Sequence, residues 1–337
     1  MVNFTKIVQT VDAHTGGEPL RIVTAGLPPF SGSTILEKRS DARTRFDGLR
    51  KFLMLEPRGH ADMYGAYLFA PVTEAANFGV IFIHNEGYSD MCGHGIIALA
   101  KYVVMFEMVE RTSPETRVAF DTPAGFIEAF VEWDGRGAGR TRFVMMPSFI
   151  LRRDLVITTP SFGALTVDVV FGGAFYAYLD GAQAGLVVRP DNVRALIDLG
   201  DEVKLAVNRV TRVQHPLEPG LDSLYGTIID SPAPAGSSVD QINVCVFADR
   251  EVDRSPTGTG TAGRAAQLYL RGRLSDDQVF VNESIVGSRF EVRIRSVTTV
   301  GALPAVVPEV TGTAHIMGMH QWVLESDDPF PEGFFLR

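Results

Sequence analysis

The sequence lacks several features that would place a chain of this length in a specialised class. Its 337 residues include only two cysteines, Cys92 and Cys245. Two thiols exclude a disulfide framework and favour a reducing, cytoplasmic location. No apolar run approaches the roughly 18–20 residues that a membrane helix needs, and the first residues carry no signal-peptide pattern. We therefore expect neither a membrane span nor secretion.

Positive charge is also scarce. The chain has 31 Lys and Arg against 40 Asp and Glu, which gives a net charge of −9. An acidic protein has no electrostatic attraction to nucleic acid or to an anionic membrane, so neither is an expected partner. The apolar share of 45% and the charged share of 21% are those of an ordinary globular protein. Because the length exceeds the usual size of one core, we expect two domains.

Two glycine-rich stretches stand between a strand pattern and a helix pattern. Residues 88–95 (YSDMCGHG) follow the β-branched and aromatic run 79–84 and precede the apolar run 96–106. Residues 253–260 (DRSPTGTG) follow a similar run at 242–248 and precede a helix-like run at 262–270. The two units, with Cys92 at the key position of the first and Thr257 at that of the second, predict an internal repeat.

The remaining chain consists mostly of short strand patterns interrupted by Gly, Pro and Asp. Alternation over 126–133 predicts a half-buried strand that turns at 135–139. The segments long enough to predict helices are 92–110, 261–270, and 190–201 with its neighbour 204–210. The first of these is apolar nearly all round, so it should be buried among strands. We predict a first domain at 1–150, a second at 151–317, and a tail, 318–337, that returns to the first.

Cys92 has the sequence surroundings of a reactive cysteine. At the first turn of a helix, the free N–H groups and the dipole favour a thiolate over a thiol. Gly93 and Gly95 let the backbone approach a ligand closely, first-turn amides can hold a carboxylate, and His94 can add a donor. A buried structural cysteine is the alternative, which these neighbours disfavour. For Cys245, in the middle of a strand pattern, the structural interpretation is preferred.

Four other kinds of site are disfavoured. Residues 258–263 (GTGTAG) match the G-x-G-x-x-G dinucleotide fingerprint. A Rossmann site needs its first glycine directly after the strand, whereas the charged segment 249–256 intervenes here. No Walker lysine follows, and no G-x-S-x-G elbow is present. Cys92 and His94 have no second Cys/His cluster to complete a metal site. We expect no cofactor and no metal.

Four motifs together resemble those of the proline racemase family. Residues 91–95 (MCGHG) and 253–261 (DRSPTGTGT) resemble its paired catalytic signature, and residues 12–19 (DAHTGGEP) and 172–176 (GGAFY) extend the similarity over nearly the whole chain. The resemblance implies an α+β, diaminopimelate-epimerase-like fold of two pseudo-repeated domains. Each would be a mixed β-layer wrapped around a central α-helix, with the substrate between the two helix N-termini. The oligomeric state is not decided, and a homodimer is one option.

Thr257 departs from the pattern of the family's racemases and epimerases, which carry a second cysteine there. Two thiols on opposite faces of a Cα atom let one remove a proton while the other delivers one. A threonine hydroxyl does not titrate near neutral pH, so inversion is not expected. The branch of the family with threonine at this position dehydrates trans-3-hydroxy-L-proline to Δ1-pyrroline-2-carboxylate. The resemblance thus implies a cofactor-independent hydro-lyase of amino-acid catabolism that acts on a small imino acid.

The resemblance also assigns roles to individual residues. Cys92 would abstract the Cα proton, and Thr257 would fill the space of the missing thiol or hydrogen-bond the substrate. Asp253, with His94, would contact the ring nitrogen, and Phe247 would form an apolar wall. An ordinary loop acid and core packing are the alternatives for Asp253 and Phe247. Four backbone amides would hold the substrate carboxylate as charge builds on it: those of Gly93, His94, Gly258 and Thr259.

Two other functions remain open on the sequence. A proline racemase or a 4-hydroxyproline 2-epimerase is the runner-up, because those enzymes share the Cys92 motif. A non-catalytic amino-acid-binding protein is the last candidate, and the intact Cys92 disfavours it.

Overall fold

The chain divides into two compact units in the computed structural model, which describes residues 4–336. The described residues up to Thr141, together with those from Thr313 onward, form the first unit, and Arg142–Gly312 forms the second. The predicted domain boundaries, at 150/151 and 317/318, fall inside two strands, Ser148–Thr159 and Ala314–Glu325. In the structure the units change between Thr141 and Arg142, inside the strand Ala138–Val144, and between Gly312 and Thr313, just before Ala314–Glu325.

The first unit is a curved sheet with three helices. Its elements are β1 (Phe4–Thr15), β2 (Glu18–Ala25), α1 (Ile35–Arg45), α2 (Asp47–Met54), β3 (Tyr64–Phe69), β4 (Phe78–His84), β5 (Tyr88–Ser89), α3 (Gly93–Met105), β6 (Glu115–Thr122), β7 (Gly125–Trp133), β8 (Ala138–Val144), which crosses into the second unit, and, at the other end of the chain, β18 (Ala314–Glu325).

Hydrogen bonding orders seven strands of the first unit as β18-β1-β2-β3-β4-β6-β7, with β5 added on β4. The β2–β3 and β4–β6 pairs are parallel and the others antiparallel. Helix α3 packs against β1, β2, β18 and β7. Because it contacts strands at both ends of this row, the sheet must curl around the helix.

The sequence of helix α3 is apolar all round because strands surround the helix. Every residue from Gly93 to Val104 is buried, as predicted. The helix is shorter than the predicted 92–110, because Glu107 adopts a left-handed conformation (φ 57°) and the Met108 N–H returns to the carbonyl of Val103 at 2.9 Å. This backward bond satisfies a free carbonyl and ends the helix.

The second unit is a closed barrel around one helix. Its elements are β9 (Ser148–Thr159), β10 (Gly163–Phe171), β11 (Phe175–Asp180), α4 (Val193–Val210), β12 (Leu224–Pro232), β13 (Gln241–Phe247), β14 (Glu251–Asp253), α5 (Gly258–Leu270), β15 (Phe280–Ser284), β16 (Arg289–Val300) and β17 (Leu303–Gly312). Pairing runs β9-β10-β11-β12-β13-β15-β16-β17 and returns from β17 to β9. Helix α5 packs against β9, β10, β11, β16 and β17, inside this ring.

Helix α4 corrects a prediction. The sequence indicated two helices, 190–201 and 204–210, whereas the structure has a short 3₁₀ turn at Pro190–Asn192 and then one continuous helix. Gly200 lies near its middle. A Cβ atom at Gly200 would come within 2.5 Å of the Val246 side chain, so glycine is needed for close packing on β13.

Two helices, α1 and α2, were not predicted. Only Ile35 and Ala42 of α1 are buried, so it lacks a strong apolar stripe. Its start does carry a recognisable signal, a capping box in which Glu37 N–H donates to Thr34 Oγ1 at 3.1 Å and Thr34 N–H donates to the Glu37 carboxylate at 3.1 Å. The predicted strands were found, and the fold class is α+β with two sheet-rich units.

Candidate active site

Cys92 is the residue that caps the N-terminus of α3. It has an extended backbone (φ −142°, ψ 109°), and its Sγ atom accepts the N–H of Gly95 at 3.2 Å. The sequence placed Cys92 in the first turn, but the structure places it one step earlier, in the capping position that Ser or Asp usually occupies. The residue is only 5% exposed. Its sulfur thus lies at the positive end of the helix and accepts one of the free N–H groups there.

His94 is in contact with this sulfur. Its Nδ1 atom lies 3.1 Å from Cys92 Sγ, and its Nε2 atom lies 3.3 Å from the carbonyl oxygen of Pro19. A carbonyl only accepts hydrogen bonds, so Nε2 carries the proton that points at Pro19. One further proton is then shared between Sγ and Nδ1, as a thiol beside a neutral imidazole or a thiolate beside an imidazolium. The pair can therefore move a proton without moving either side chain.

The N-terminal motif supports this pair, a role that the sequence analysis did not assign. Thr15 Oγ1 donates to the backbone carbonyl of His94 at 2.9 Å, and the Pro19 carbonyl orients the imidazole. Both residues belong to the stretch 12–19, which was recognised only as part of a family resemblance. The edge of the His94 ring also faces the Tyr64 ring, at 4.9 Å between centroids and 70° between planes. Backbone and ring are thereby both fixed.

Thr257 occupies the equivalent place before α5 but does not act as a cap. Its φ of 62° and ψ of 99° are unusual for a β-branched residue, and its side chain accepts no hydrogen bond from the helix. The Oγ1 atom is buried without a hydrogen-bond partner among the described residues. The second loop therefore leaves a polar side chain uncommitted at its helix start.

Asp253 and Phe247 lie in the β13–β14 hairpin that precedes this loop. Asp253 is buried, and its Oδ1 atom accepts the N–H of Ser255 at 2.8 Å. Phe247 is buried and stacks on Tyr225, with 5.3 Å between centroids and 14° between planes. These contacts match the alternatives of loop acid and core packing, and the predicted contacts with a substrate remain predictions.

The motif at 172–176 supports the start of α5. Tyr176 OH lies 2.7 Å from Thr259 Oγ1, and complete burial raises the pKa of Tyr176 well above its usual value, so this phenol stays neutral. A Cβ atom on Gly172 would come within 2.4 Å of the Thr259 carbonyl oxygen, so only glycine fits against this turn. Gly258 and Thr259 are both buried.

The structure thus brings the predicted site residues together in two groups, one in each unit. The first contains Cys92, Gly93 and His94, and the second contains Phe247, Asp253, Thr257, Gly258 and Thr259. Cys245 is buried in β13 opposite Asp253. No helix within residues 4–336 is long and apolar enough to cross a membrane.

Comparison with known proteins links this geometry to a family. The family model described as proline racemase matches residues 10–335. The chain is 56% identical over 337 residues to a trans-3-hydroxy-L-proline dehydratase of Burkholderia cenocepacia (strain HI2424), with all of both chains covered. It is 55% identical over 336 residues to a 3-hydroxyproline 2-epimerase of Burkholderia multivorans (strain ATCC 17616 / 249), again with all of both covered.

A solved structure agrees with these matches. A hydroxyproline epimerase from Agrobacterium vitis, with bound trans-4-hydroxy-L-proline, superposes with a TM-score of 0.92 at 31% identity and covers 100% of this chain and 97% of its own. The family match over residues 10–335 and the full-length relatives lead to one conclusion: this chain belongs to the proline racemase family.

Proposed function

We propose that this protein dehydrates trans-3-hydroxy-L-proline to Δ1-pyrroline-2-carboxylate and water without a cofactor. The proposal rests on the difference between the residues at the two helix starts. Cys92, before α3, is in contact with His94, whereas Thr257, before α5, has a hydroxyl that does not titrate near neutral pH. One thiol suffices to remove a Cα proton, and inversion needs a second donor. The 56% identical dehydratase supports the same choice.

The reaction balances with one acid–base pair. The Cys92 thiolate takes the proton from C2, and the C3–O bond breaks so that hydroxide and a proton leave as water. The product is a ring with a C2=C3 double bond and an N–H group. Transfer of a proton from nitrogen to C3 then gives the C2=N bond of Δ1-pyrroline-2-carboxylate.

The stereochemistry of the substrate suits this pair. In the trans-3-hydroxy-L isomer the hydroxyl lies on the ring face opposite the carboxylate. The C2 proton also lies opposite the carboxylate, so it shares a face with the hydroxyl. A base on this face is next to both departing groups. We therefore propose a syn elimination in which the proton shared by Cys92 and His94, whose Sγ and Nδ1 atoms are 3.1 Å apart, assists loss of the hydroxyl.

Backbone amides supply the stabilisation that a cofactor would otherwise provide. The N–H of Gly95 donates to Cys92 Sγ. We assign the N–H groups of Gly93 and His94, at the start of α3, to the substrate carboxylate. We assign the amides of Gly258 and Thr259 the same role at the start of α5. Asp253 would keep the ring nitrogen charged, Phe247 would border the ring, and Thr257 would donate a hydrogen bond or fill space.

A second candidate, epimerisation at C2 of the same substrate, is favoured by one finding. The 55% identical relative from Burkholderia multivorans is named a 3-hydroxyproline 2-epimerase. Both reactions begin with removal of the C2 proton, so they differ only in what the carbanion does next. A racemase or 4-hydroxyproline 2-epimerase, as in the 31% identical structure, would also need a proton donor on the second face.

One experiment separates these functions. The protein is incubated with trans-3-hydroxy-L-proline in D2O, and the products are followed by NMR. Formation of Δ1-pyrroline-2-carboxylate supports the dehydratase, whereas accumulation of C2-deuterated cis-3-hydroxy-D-proline supports the epimerase. If neither product forms while L-proline or trans-4-hydroxy-L-proline is inverted, the dehydratase proposal is wrong. The Cys92→Ser variant is the control for background reaction.

A further inference from the structure

The carbonyl oxygen of Pro256, just before Thr257, is held by three donors. Asn243 Nδ2 donates to it at 3.0 Å, and Thr261 Oγ1 donates at 2.9 Å. Asn282 Nδ2 donates to it at 3.4 Å and to Thr261 Oγ1 at 2.9 Å. The two asparagines lie on β13 and β15, which are neighbouring parallel strands of the barrel. The rigid sheet therefore fixes the direction of this carbonyl.

The other polar atom of the same peptide is also held. The N–H of Thr257 donates to Ser255 Oγ at 3.1 Å, and the Ser255 N–H in turn donates to Asp253 Oδ1 at 2.8 Å. With its carbonyl and its N–H both engaged, the plane of this peptide cannot rotate. The Thr257 carbonyl accepts the Thr261 N–H at 2.6 Å, which fixes the following peptide as well. Both backbone angles of Thr257 are thus set by its surroundings.

This arrangement is costly to the fold. A β-branched residue at φ 62° is strained, and such residues persist only when their surroundings over-determine them. The side chains of Asn243 and Asn282 are 1% and 0% exposed, and the Oδ1 atom of each is buried without a hydrogen-bond partner. Buried polar atoms without partners destabilise a protein, so stability alone would favour apolar residues at both positions.

We propose that Asn243 and Asn282 are positioning residues for Thr257. They fix the Pro256–Thr257 peptide, hold Thr257 in its strained conformation, and so direct its uncommitted hydroxyl toward the substrate. The inference rests on the proposed function, because it gives the Thr257 hydroxyl a task in the reaction. It goes beyond that function by extending the machinery of the second loop to two strand residues that act through the Pro256 carbonyl.

A double-mutant cycle tests the proposal. Asn243→Ala and Asn282→Ala are each made in the wild-type protein and in the Thr257→Ala variant, and kcat and KM are measured with trans-3-hydroxy-L-proline. We expect kcat to fall about tenfold in the wild-type background, because misplaced groups lose catalytic effect. In the Thr257→Ala background it should fall less than about twofold, since a positioning effect disappears with the residue positioned. Equal falls in both backgrounds would overturn the proposal.

Ser284→Ala is the matched control. Ser284 is buried on β15 two residues from Asn282, and its hydroxyl bonds to Ser288 Oγ at 2.8 Å instead of to Pro256. This variant loses a buried hydrogen bond of the same strand, and its kcat should stay at the wild-type value. A kcat as low as that of Asn282→Ala would show that any defect in β15 has this effect, and would contradict the proposal.

A crystal structure provides a readout that does not depend on any substrate. With both asparagines replaced by alanine, Thr257 should relax to a negative φ, and a φ that stays near 62° would overturn the proposal. If the double variant does not fold, the single Asn282→Ala variant is used with the same criterion. Absence of dehydration by the wild-type protein would refute the proposed function but leave this test in force.

Discussion

Helices α3 and α5 are built alike and begin differently. Each has 13 residues, lies buried in its own unit and carries two glycines in its first turn. Cys92 reaches its place with an ordinary extended backbone and uses its side chain to cap the helix. Thr257 is held at a positive φ and leaves its hydroxyl unused by the fold. Cys92 is therefore held by a contact within its own helix start, whereas the conformation of Thr257 also depends on side chains of neighbouring strands.

The two helices also differ at their other ends. Neither helix has a basic residue in its last turn, and the carbonyls of Val104 and Met105 at the end of α3 accept hydrogen bonds from Arg111 at 2.8 and 2.7 Å. Helix α5 instead makes two partly buried ion pairs: Arg271, its C-terminal cap, donates to Asp168 at 2.6 Å, and Arg264 donates to Asp230 at 3.2 Å. A cavity of about 440 Å³ is lined by these four residues among others. The helix with the strained start is thus anchored by charge.

The largest effect should come from the first loop. Cys92→Ser should lower kcat by about 10²–10⁴-fold, because a serine hydroxyl is too weakly acidic to act as the base. Its thermal stability should change little, since serine is a good N-cap. Cys245→Ala, at the other buried thiol, is the control and should keep its kcat. Dehydration at the wild-type rate by Cys92→Ser would refute the proposed role of the thiol.

The chemical difference between the loops is tested by Thr257→Cys. This variant carries a thiol at both helix starts, as family epimerases do. We expect dehydration to fall about tenfold and inversion of trans-4-hydroxy-L-proline, with deuterium uptake at C2 from D2O, to appear. If no inversion is detected while the variant still dehydrates, the threonine is not what prevents epimerisation.

The anchoring of α5 by charge is tested by Arg271→Leu. Burial alone would raise the pKa of Asp168, but hydrogen bonds from Arg271, Gln267 and the Asp154 N–H hold it below its usual value. Removing the guanidinium leaves a buried carboxylate short of partners and should cost about 3 kcal/mol of unfolding free energy, measured with urea. The exposed pair of Arg117 with Glu128 is the control, and Arg117→Ala should cost less than about 1 kcal/mol.

The same pair gives a pH dependence with a definite sign. Because the folded pKa of Asp168 is below its unfolded value, the stabilisation is present above the unfolded pKa and is lost as pH falls through the folded one. The wild-type protein should lose this contribution below about pH 4, and Arg271→Leu should lose less over that range. An identical acid limb of the stability curve in both proteins would contradict this account.

The smallest effect concerns backbone strain. Thr257→Gly removes the penalty of a positive φ and should raise the unfolding free energy by up to about 1 kcal/mol. Cys92→Gly loses a cap at an unstrained position and should lower it by a few tenths to about 1 kcal/mol. Thermal unfolding of the two variants side by side measures the contrast. If both variants lose the same stability, Thr257 is not strained.

The sequence predicted those parts of the site that depend on local pattern. Cys92 was identified because glycines and a helix pattern flank it, and α3 because it is apolar on every side. The Cys92–His94 contact could not be predicted from the sequence, because the Pro19 carbonyl of another strand orients the His94 ring. Asn243 and Asn282 carry no local signal at all. They meet at Pro256 only because β13 and β15 pair with Gln241 opposite Asn282.

Helices α1 and α4 were predicted incorrectly from the sequence, and the reasons are similar. Helix α1 is mostly exposed, so its weak apolar pattern did not reveal it, although its capping box was readable. Helix α4 was predicted as two segments, 190–201 and 204–210, whereas the structure has one continuous helix that contains Gly200. In the structure the Val246 side chain of β13 packs directly against Gly200. This contact between a helix and a strand depends on tertiary packing and cannot be predicted from the local sequence.

The pairing of β1 with β18 has a consequence for how the protein is made. Their register runs from Phe4 opposite Glu325 to Thr15 opposite Ala314, so the first strand waits for one of the last to leave the ribosome. The second unit is contiguous in the chain and can complete its ring of strands earlier. Synthesis order should therefore assemble the threonine-bearing barrel first and close the cysteine-bearing sheet last. The Cys92 thiol would then gain its enclosed surroundings only near the end of translation.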